Sequence, residues 1–247
     1  MIKIEKLNKL FGKVQVLKGV DLSIDHGKIV AILGPNGSGK TTLIKCLLGL
    51  TIPTSGTIFV NGKNIENNWQ YRNDIGYLPQ IAHFPENLTV KELFSMISDL
   101  RKQKADYSEL VSYFEMGEFI GKPLRSLSGG TRQKANIILA LMFNPSFFIF
   151  DEPSSGLDPL SRVRFKDRVE KEKQNGKTVL FTTHLLNEVE ELADEIFFLL
   201  EGKIYFHGKP QQLKDEQNQP SLEKAIAAML VKNKNNPATT YSNSEIK

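Results

Sequence analysis

The sequence predicts an α/β domain: a parallel sheet carrying helices, with an antiparallel strand region ahead of it and a helical segment inserted into it. Three observations carry that prediction. Residues 28–33 (KIVAIL), 146–151 (SFFIFD) and 178–183 (TVLFTT) are short apolar runs, each followed by a loop and then by helical spacing, as buried parallel strands are. Residues 2–24 instead alternate apolar and polar, through Ile2 and Ile4 and then Val20, Leu22 and Ile24, as antiparallel strands with one wet face do. From residue 81 to 143 apolar positions recur at helical spacing: Val90, Leu93, Phe94 and Ile97, then Leu110, Val111 and Phe114. The 247 residues suffice for one domain with such an insertion, drawn here as residues 1–230 with the insertion at about 81–143. From residue 231 to 247 the chain is polar and reads as a disordered tail.

Taken in order, Phe11-Gly12 puts an aromatic on the turn between the first two strands, where it serves a core as readily as a ligand. Gly27 closes the turn into the first buried strand. The next eight residues, 34–41 (GPNGSGKT), match G-x-x-x-x-G-K-[ST] at every fixed position. Gly34, Gly37 and Gly39 let the backbone curl so that several N–H groups face one anion, while Lys40 adds a point charge and the Thr41 hydroxyl suits Mg²⁺. A helix with Leu43, Ile44, Leu47 and Leu48 on its apolar side follows, so a helix N-terminus points at phosphate. A short strand with an Asn61-Gly62 hairpin turn comes next, then a strand over Ile75–Leu78 that ends at Pro79-Gln80. Thr89 and Glu92 form a capping-box pair. Ser128, Gly129 and Gly130 open an apolar helix that runs to Phe143 and is stopped by Asn144-Pro145.

Asp151 and Glu152 stand at the C-terminal end of the second buried strand, where open α/β sheets bind ligands. Two solvated carboxylates are the bland alternative, but the strand before them is too apolar to be exposed. Strand alternation is expected to turn Glu152 away from Asp151. Asp158-Pro159 starts a helix, with an N-cap followed by Pro at N1, that ends near Gly176. His184 follows the third buried strand. A short helix through Leu185 to Leu192, a hairpin about Glu201-Gly202 and an amphipathic helix over 221–230 complete the chain.

Composition is that of an ordinary soluble protein, and a net charge of +4 permits an anionic membrane face without arguing for it. The single cysteine, Cys46, excludes an internal disulfide and reads as a buried thiol. No signal peptide pattern and no unbroken apolar span of about 20 residues is present, so if the protein acts on a membrane process, other chains must supply the membrane part. His26, His83, His184 and His207 are scattered without metal-ligand spacing.

Across roughly residues 1–210 these motifs, in this order, resemble the ATP-binding cassette (ABC) ATPases, the nucleotide-binding subunits of ABC transporters. The resemblance implies a P-loop NTPase fold: a RecA-like core with an N-terminal antiparallel β subdomain and an inserted helical subdomain. Each short motif is weak alone, and their joint order is specific. Phe11 falls at the position that stacks on adenine. The Walker A loop is Gly34, Pro35, Asn36, Gly37, Ser38, Gly39, Lys40, Thr41 and Thr42, and the Q-loop glutamine is Gln80. The LSGG signature supplies Ser128, Gly129 and Gly130 toward the γ-phosphate of an ATP held by the other subunit of a dimer. Asp151 ends Walker B, Glu152 is the catalytic base, Asp158 belongs to the D-loop and His184 is the switch histidine. Mg²⁺ would be held by Thr41, Asp151 and the Gln80 carbonyl. Phe11 stands where Tyr is commoner and Thr131 where Gln is usual, whereas Glu152 and His184 are intact.

The resemblance further implies an ATP hydrolase coupled to transport. It would dimerise with a second copy of itself or a related ATPase subunit, bind ATP and Mg²⁺, and drive a multi-span membrane permease from the cytoplasmic face of the cell membrane. No nucleic-acid partner is implied. The rival class, a soluble ABC ATPase acting on ribosomes or nucleic acid, usually shows paired cassettes or long coiled coils, and neither is here. NLTVKELF and SLEKAI are similar to the bacterial subfamily paired with ABC-2-type subunits. LSGGTRQKANI and the ELADEI…LLEGKIYF run resemble the cassette of the copper-related transporter used in nitrous oxide reductase maturation.

Overall fold

A computed structural model describes residues 2–235, which fall into two compact units: residues 2–69 with 183–235, and Gln70–Thr182.

The first unit begins with an antiparallel sheet. β1 (Ile2–Phe11) pairs with β2 (Val14–Ile24) and with β4 (Ser55–Val60), and β5 (Lys63–Asn64) closes the edge, giving the order β2-β1-β4-β5. Ile2 faces Ile24 and Val60, and Ile4 faces Leu22 and Ile58, so the alternating apolar residues meet on one buried face. The register shifts after Ile4 as Lys6 takes a φ of 47°, which returns Leu7 to the core. Asn61 and Gly62 both have positive φ, as a two-residue hairpin turn demands.

The same unit holds β3 (Ile29–Leu33), buried along its whole length, and α1 (Lys40–Leu47) after the glycine-rich loop. α6 (Leu186–Leu192) precedes β9 (Glu195–Leu200), which runs parallel to β3 and returns through Glu201-Gly202 as β10 (Lys203–Gly208). α7 (Pro210–Glu216) and α8 (Leu222–Asn235) follow, burying Leu213, Leu222, Ala225 and Met229. α7 has no counterpart in the sequence reading. α8 also runs past residue 231, where the tail was expected to begin: Val231 and Lys232 continue the helix, carried by the apolar face before them. The rest of the expected tail, 236–247, lies outside the described residues.

In the second unit β6 (Ile75–Leu78), β7 (Phe147–Asp151) and β8 (Thr178–Thr182) are parallel neighbours in the order β8-β7-β6. α5 (Pro159–Gln174) packs on β8 and β7, with Phe165 edge-on to Phe150 at 5.4 Å. The segment between β6 and β7 carries α2 (Val90–Arg101), α3 (Ser108–Tyr113) and α4 (Gly129–Leu141). α2 starts on the full Thr89/Glu92 capping box, and Phe94 packs edge-on to Tyr107 at 4.9 Å. α4 ends two residues before the expected Phe143. The compact unit therefore includes three strands and α5 as well as the helices of 81–143.

Candidate functional site

In the first unit the loop between β3 and α1 is shaped by backbone alone. Gly34 has a φ of 150°, and a Cβ there would lie 2.0 Å from the Leu199 carbonyl oxygen of β9. Gly37 and Gly39 have φ of 79° and 109°, in the left-handed region that a side chain strains. Gly39 is the N-cap of α1 and supplies no side-chain cap, so no capping side chain stands between the helix N-terminus and the loop. Lys40 curls back over the loop, donating to the Gly34 carbonyl at 2.7 Å and the Pro35 carbonyl at 3.1 Å. Ser38 is buried with a hydroxyl that has no hydrogen-bond partner among the described residues. The loop is braced by Gly202, whose N–H donates to the Ser38 carbonyl at 3.0 Å and whose Cβ, if present, would lie 2.3 Å from the Val16 carbonyl.

Phe11, at the end of β1, is 51% exposed, and the Lys9 ammonium lies 4.8 Å from its ring centroid while donating to the Ile52 carbonyl at 2.8 Å. His184 is exposed, directly after buried Thr183, whose hydroxyl reaches the buried Glu188 carboxylate at 3.3 Å and accepts from the Leu185 N–H at 3.0 Å.

In the second unit Asp151 is buried as the last residue of β7, in register with Thr182. The Thr182 hydroxyl donates to Asp151 Oδ1 at 2.5 Å. Glu152 does not continue the strand. Its φ is +53°, and its N–H donates to both the carbonyl and the hydroxyl oxygen of Thr182 at 3.1 Å. A left-handed turn, rather than the expected strand alternation, redirects Glu152, because β7 has already ended. Burial, and then the charge of Asp151, push the Tyr77 phenol up to about 12, so it stays a neutral donor at physiological pH.

Ser128 caps α4, accepting from the Thr131 N–H at 3.2 Å, and the two hydroxyls lie 2.8 Å apart. A Cβ on Gly130 would lie 2.7 Å from the Gly156 carbonyl, which brings the start of α4 against the loop before α5. Gln133 ties the same region down by donating to the Pro153 carbonyl at 2.8 Å. Asp158 caps α5 through the Ser161 N–H (2.9 Å) and hydroxyl (2.6 Å), with the Ser161 hydroxyl, then its N–H, holding the carboxyl below its ordinary range. Gln80, two residues past β6, is exposed.

A family model described as "ABC transporter" matches residues 17–155, more than half of the chain. The chain belongs to the ABC transporter family. Among similar proteins, an uncharacterized ABC transporter ATP-binding protein of Bacillus subtilis (strain 168) is 36% identical over 88% of this chain and 74% of its own length. The lantibiotic transport ATP-binding protein SrtF of Streptococcus pyogenes is 35% identical over 83% of this chain and 89% of its own. The solved structure of an ATP-binding subunit of an ABC transporter superposes with a TM-score of 0.87 at 26% identity, covering 93% of this chain and 99% of that one. A dimeric cassette in a post-hydrolysis state bound to ADP and Pi superposes with a TM-score of 0.76 at 26% identity, over 85% and 98% of the two chains.

In this ABC ATPase the motif residues thus fall in two sets. Phe11, Gly34 to Thr42 and His184 belong to the first unit; Gln80, Ser128, Gly129, Gly130, Asp151, Glu152 and Asp158 belong to the second. The sequence reading missed Lys9 beside Phe11, Thr182 beside Asp151, and the Leu199 and Gly202 backbone that walls the phosphate loop. Strand spacing alone could have put Lys9 on the face of Phe11, two residues on; Thr182, Leu199 and Gly202 lie far from their partner motifs in sequence, so only strand pairing could reveal them.

No group of three or more His, Cys, Asp or Glu able to hold a metal occurs among the described residues. Mg²⁺ takes one or two carboxylate or hydroxyl oxygens from protein and the rest from phosphates and water. In the first unit the glycine cradle that a Cβ would fill and the orphaned Ser38 hydroxyl fit phosphate; in the second, the buried Asp151 carboxylate is a hard oxygen donor of the kind Mg²⁺ takes.

Proposed function

We propose that this cassette, residues 1–230 with its helical subdomain at 81–143, binds ATP with Mg²⁺ and hydrolyses it to drive a membrane permease. The observation that carries the reading is the 34–41 loop, closed by glycine backbone and leaving the N-terminus of α1 without a side-chain cap. Phe11 stacks the base; Lys40 and the loop N–H groups bind phosphate; Thr41, Asp151 and the Gln80 carbonyl hold the metal. Bound Mg²⁺ would neutralise phosphate charge and orient the reacting group. Glu152 accepts the proton of the attacking water, and His184 orients it. Ser128, Gly129 and Gly130, with Asp158, serve a nucleotide shared with a second cassette, so the chain works as a homodimer or with a related ATPase subunit. Support for dimerisation is the likeness to a dimeric cassette.

Replacing Lys40 by Ala removes the charge that meets the phosphates. Titration calorimetry with Mg²⁺ present should detect no tight ATP binding in this variant, and wild-type affinity would refute the site.

No helix among the described residues is long and apolar enough to cross a membrane. In our reading the span belongs to a separate permease subunit, with this chain on its cytoplasmic face. ABC-2-type export is the class we favour, supported by likeness to a lantibiotic transport protein and to a Nod factor export protein of Ralstonia nicotianae. A copper-related role in nitrous oxide reductase maturation is the narrower reading, resting on the two sequence runs alone. For docking we favour the loop after Gln80. Its backbone is pinned, with Leu88 and Glu86 carbonyls accepting from Leu124 and Arg125 N–H at 2.8 and 3.0 Å, while Phe84 and Leu88 stay half-buried and Pro85 is exposed. A Phe84→Asp, Leu88→Asp double variant should keep its melting temperature and basal ATPase but lose co-purification with the permease. A stable double variant that still co-purifies sinks the docking assignment.

A further inference from the structure

We infer that Thr182 is a positioning residue for the reaction, its one hydroxyl orienting both the carboxylate that we assign to the metal and the backbone of the residue that we assign as base. The inference rests on that reading of Asp151 and Glu152. Thr182 ends β8 and is 0% exposed, directly after the apolar, buried Val179, Leu180 and Phe181. A hydroxyl carries one donor and two acceptor lone pairs, and a buried one must use them. Here the Glu152 N–H can only donate, which fixes the Thr182 oxygen as its acceptor at 3.1 Å. An ionised carboxylate can only accept, so the hydroxyl proton lies on the 2.5 Å line to Asp151 Oδ1. The geometry therefore sets the direction of both bonds. Donation to Oδ1 fixes the plane of the Asp151 carboxyl group.

The second bond bears on strain. Glu152 sits at a φ of +53°, a conformation that a residue with a Cβ keeps only when its surroundings hold it. Those surroundings include Thr182 twice over, through its hydroxyl and its carbonyl, both receiving the Glu152 N–H, and the Ser155 N–H, which donates to the Glu152 carbonyl at 3.2 Å. Removing the hydroxyl should loosen the direction in which the Glu152 side chain leaves the strand end and the plane of Asp151 together, while β8 keeps its shape. Valine matches threonine in shape and β-branching and lacks only the hydroxyl, and serine keeps only the hydroxyl.

The test compares Thr182→Val, Thr182→Ala and Thr182→Ser with the wild-type chain. It reads melting temperature, ATP affinity by calorimetry in EDTA and in Mg²⁺, and steady-state kcat. In the Val and Ala variants ATP affinity in EDTA should be unchanged. The gain in affinity on adding Mg²⁺ should shrink about five-fold and kcat should fall about ten-fold, the scale of one ordinary intramolecular hydrogen bond. Thr182→Ser should restore both. Wild-type Mg²⁺ gain and kcat in Thr182→Val, or loss of EDTA affinity in step with the Mg²⁺ gain in both Val and Ala, would overturn the inference, the second outcome marking a purely structural role. Asp151→Asn separates the levels: if it keeps the full Mg²⁺ gain, the metal assignment itself is wrong. If it loses that gain while Thr182→Val does not, only the role of Thr182 is.

Discussion

The two units make their functional surfaces from different material. In the first, glycine backbone closes a loop against carbonyls of neighbouring strands, and the N-cap position of α1 is a glycine with no side chain to offer. In the second, hydroxyls recur at the key positions: Ser128 caps α4, Thr131 leans on Ser128, Ser161 holds Asp158, and Thr182 holds Asp151 and Glu152. The contrast in the two helix starts is sharpest. α1 begins with no capping side chain, while α4 has one leading N–H satisfied by Ser128. Backbone-built geometry fails all at once when a side chain intrudes. Hydroxyl-built geometry can be taken apart one bond at a time, and its response to mutation should be graded.

The largest graded effect expected is at Glu152. Glu152→Gln keeps the shape and the left-handed turn but removes the base, so ATP binding should persist while phosphate release slows roughly 10²–10⁴-fold. Sizing chromatography of the same variant with ATP should show a lasting dimer, because a repulsive carboxylate has gone. Near-normal turnover would assign the base elsewhere. A smaller step is Ser128→Ala, which should lower stability by about 1 kcal/mol in urea melts, the usual weight of an N-cap. The smallest is Thr131→Val, which loses the hydroxyl contact to Ser128 but keeps the capping N–H. It should cost less than Ser128→Ala, and an equal or larger loss would mean that the hydroxyl pair, not the cap, holds the start of α4.

That division of material also explains what was legible in the sequence. Glycine patterns and caps are local, so β6, the Thr89/Glu92 box, the Asp158-Pro159 helix start and both hairpin turns lie where the residues imply. Glu152 was misread because alternation holds only while a strand lasts, and β7 stops at Asp151. α7 was overlooked because its run of Gln, Lys, Asp and Glu has little apolar rhythm beyond Leu213, although Pro210 at its first turn was a usable signal. The end of α8 was cut short because Lys and Asn look like tail when the apolar residues that carry the helix lie a turn earlier. Thr182 reads as an ordinary strand former; only its register opposite Asp151 makes it more.

Gly202 extends the same lesson to engineering. Hairpin tips are the usual place to insert a tag, a fluorophore or a new segment, because little depends on them. Here the tip at Glu201-Gly202 is a wall of the phosphate loop: its glycine donates to Ser38, accepts from the Lys18 N–H at 2.8 Å, and leaves no room for a Cβ beside Val16. An insertion there would carry its damage straight into residues 34–41, so the β9-β10 turn is closed to labelling even though no motif marks it.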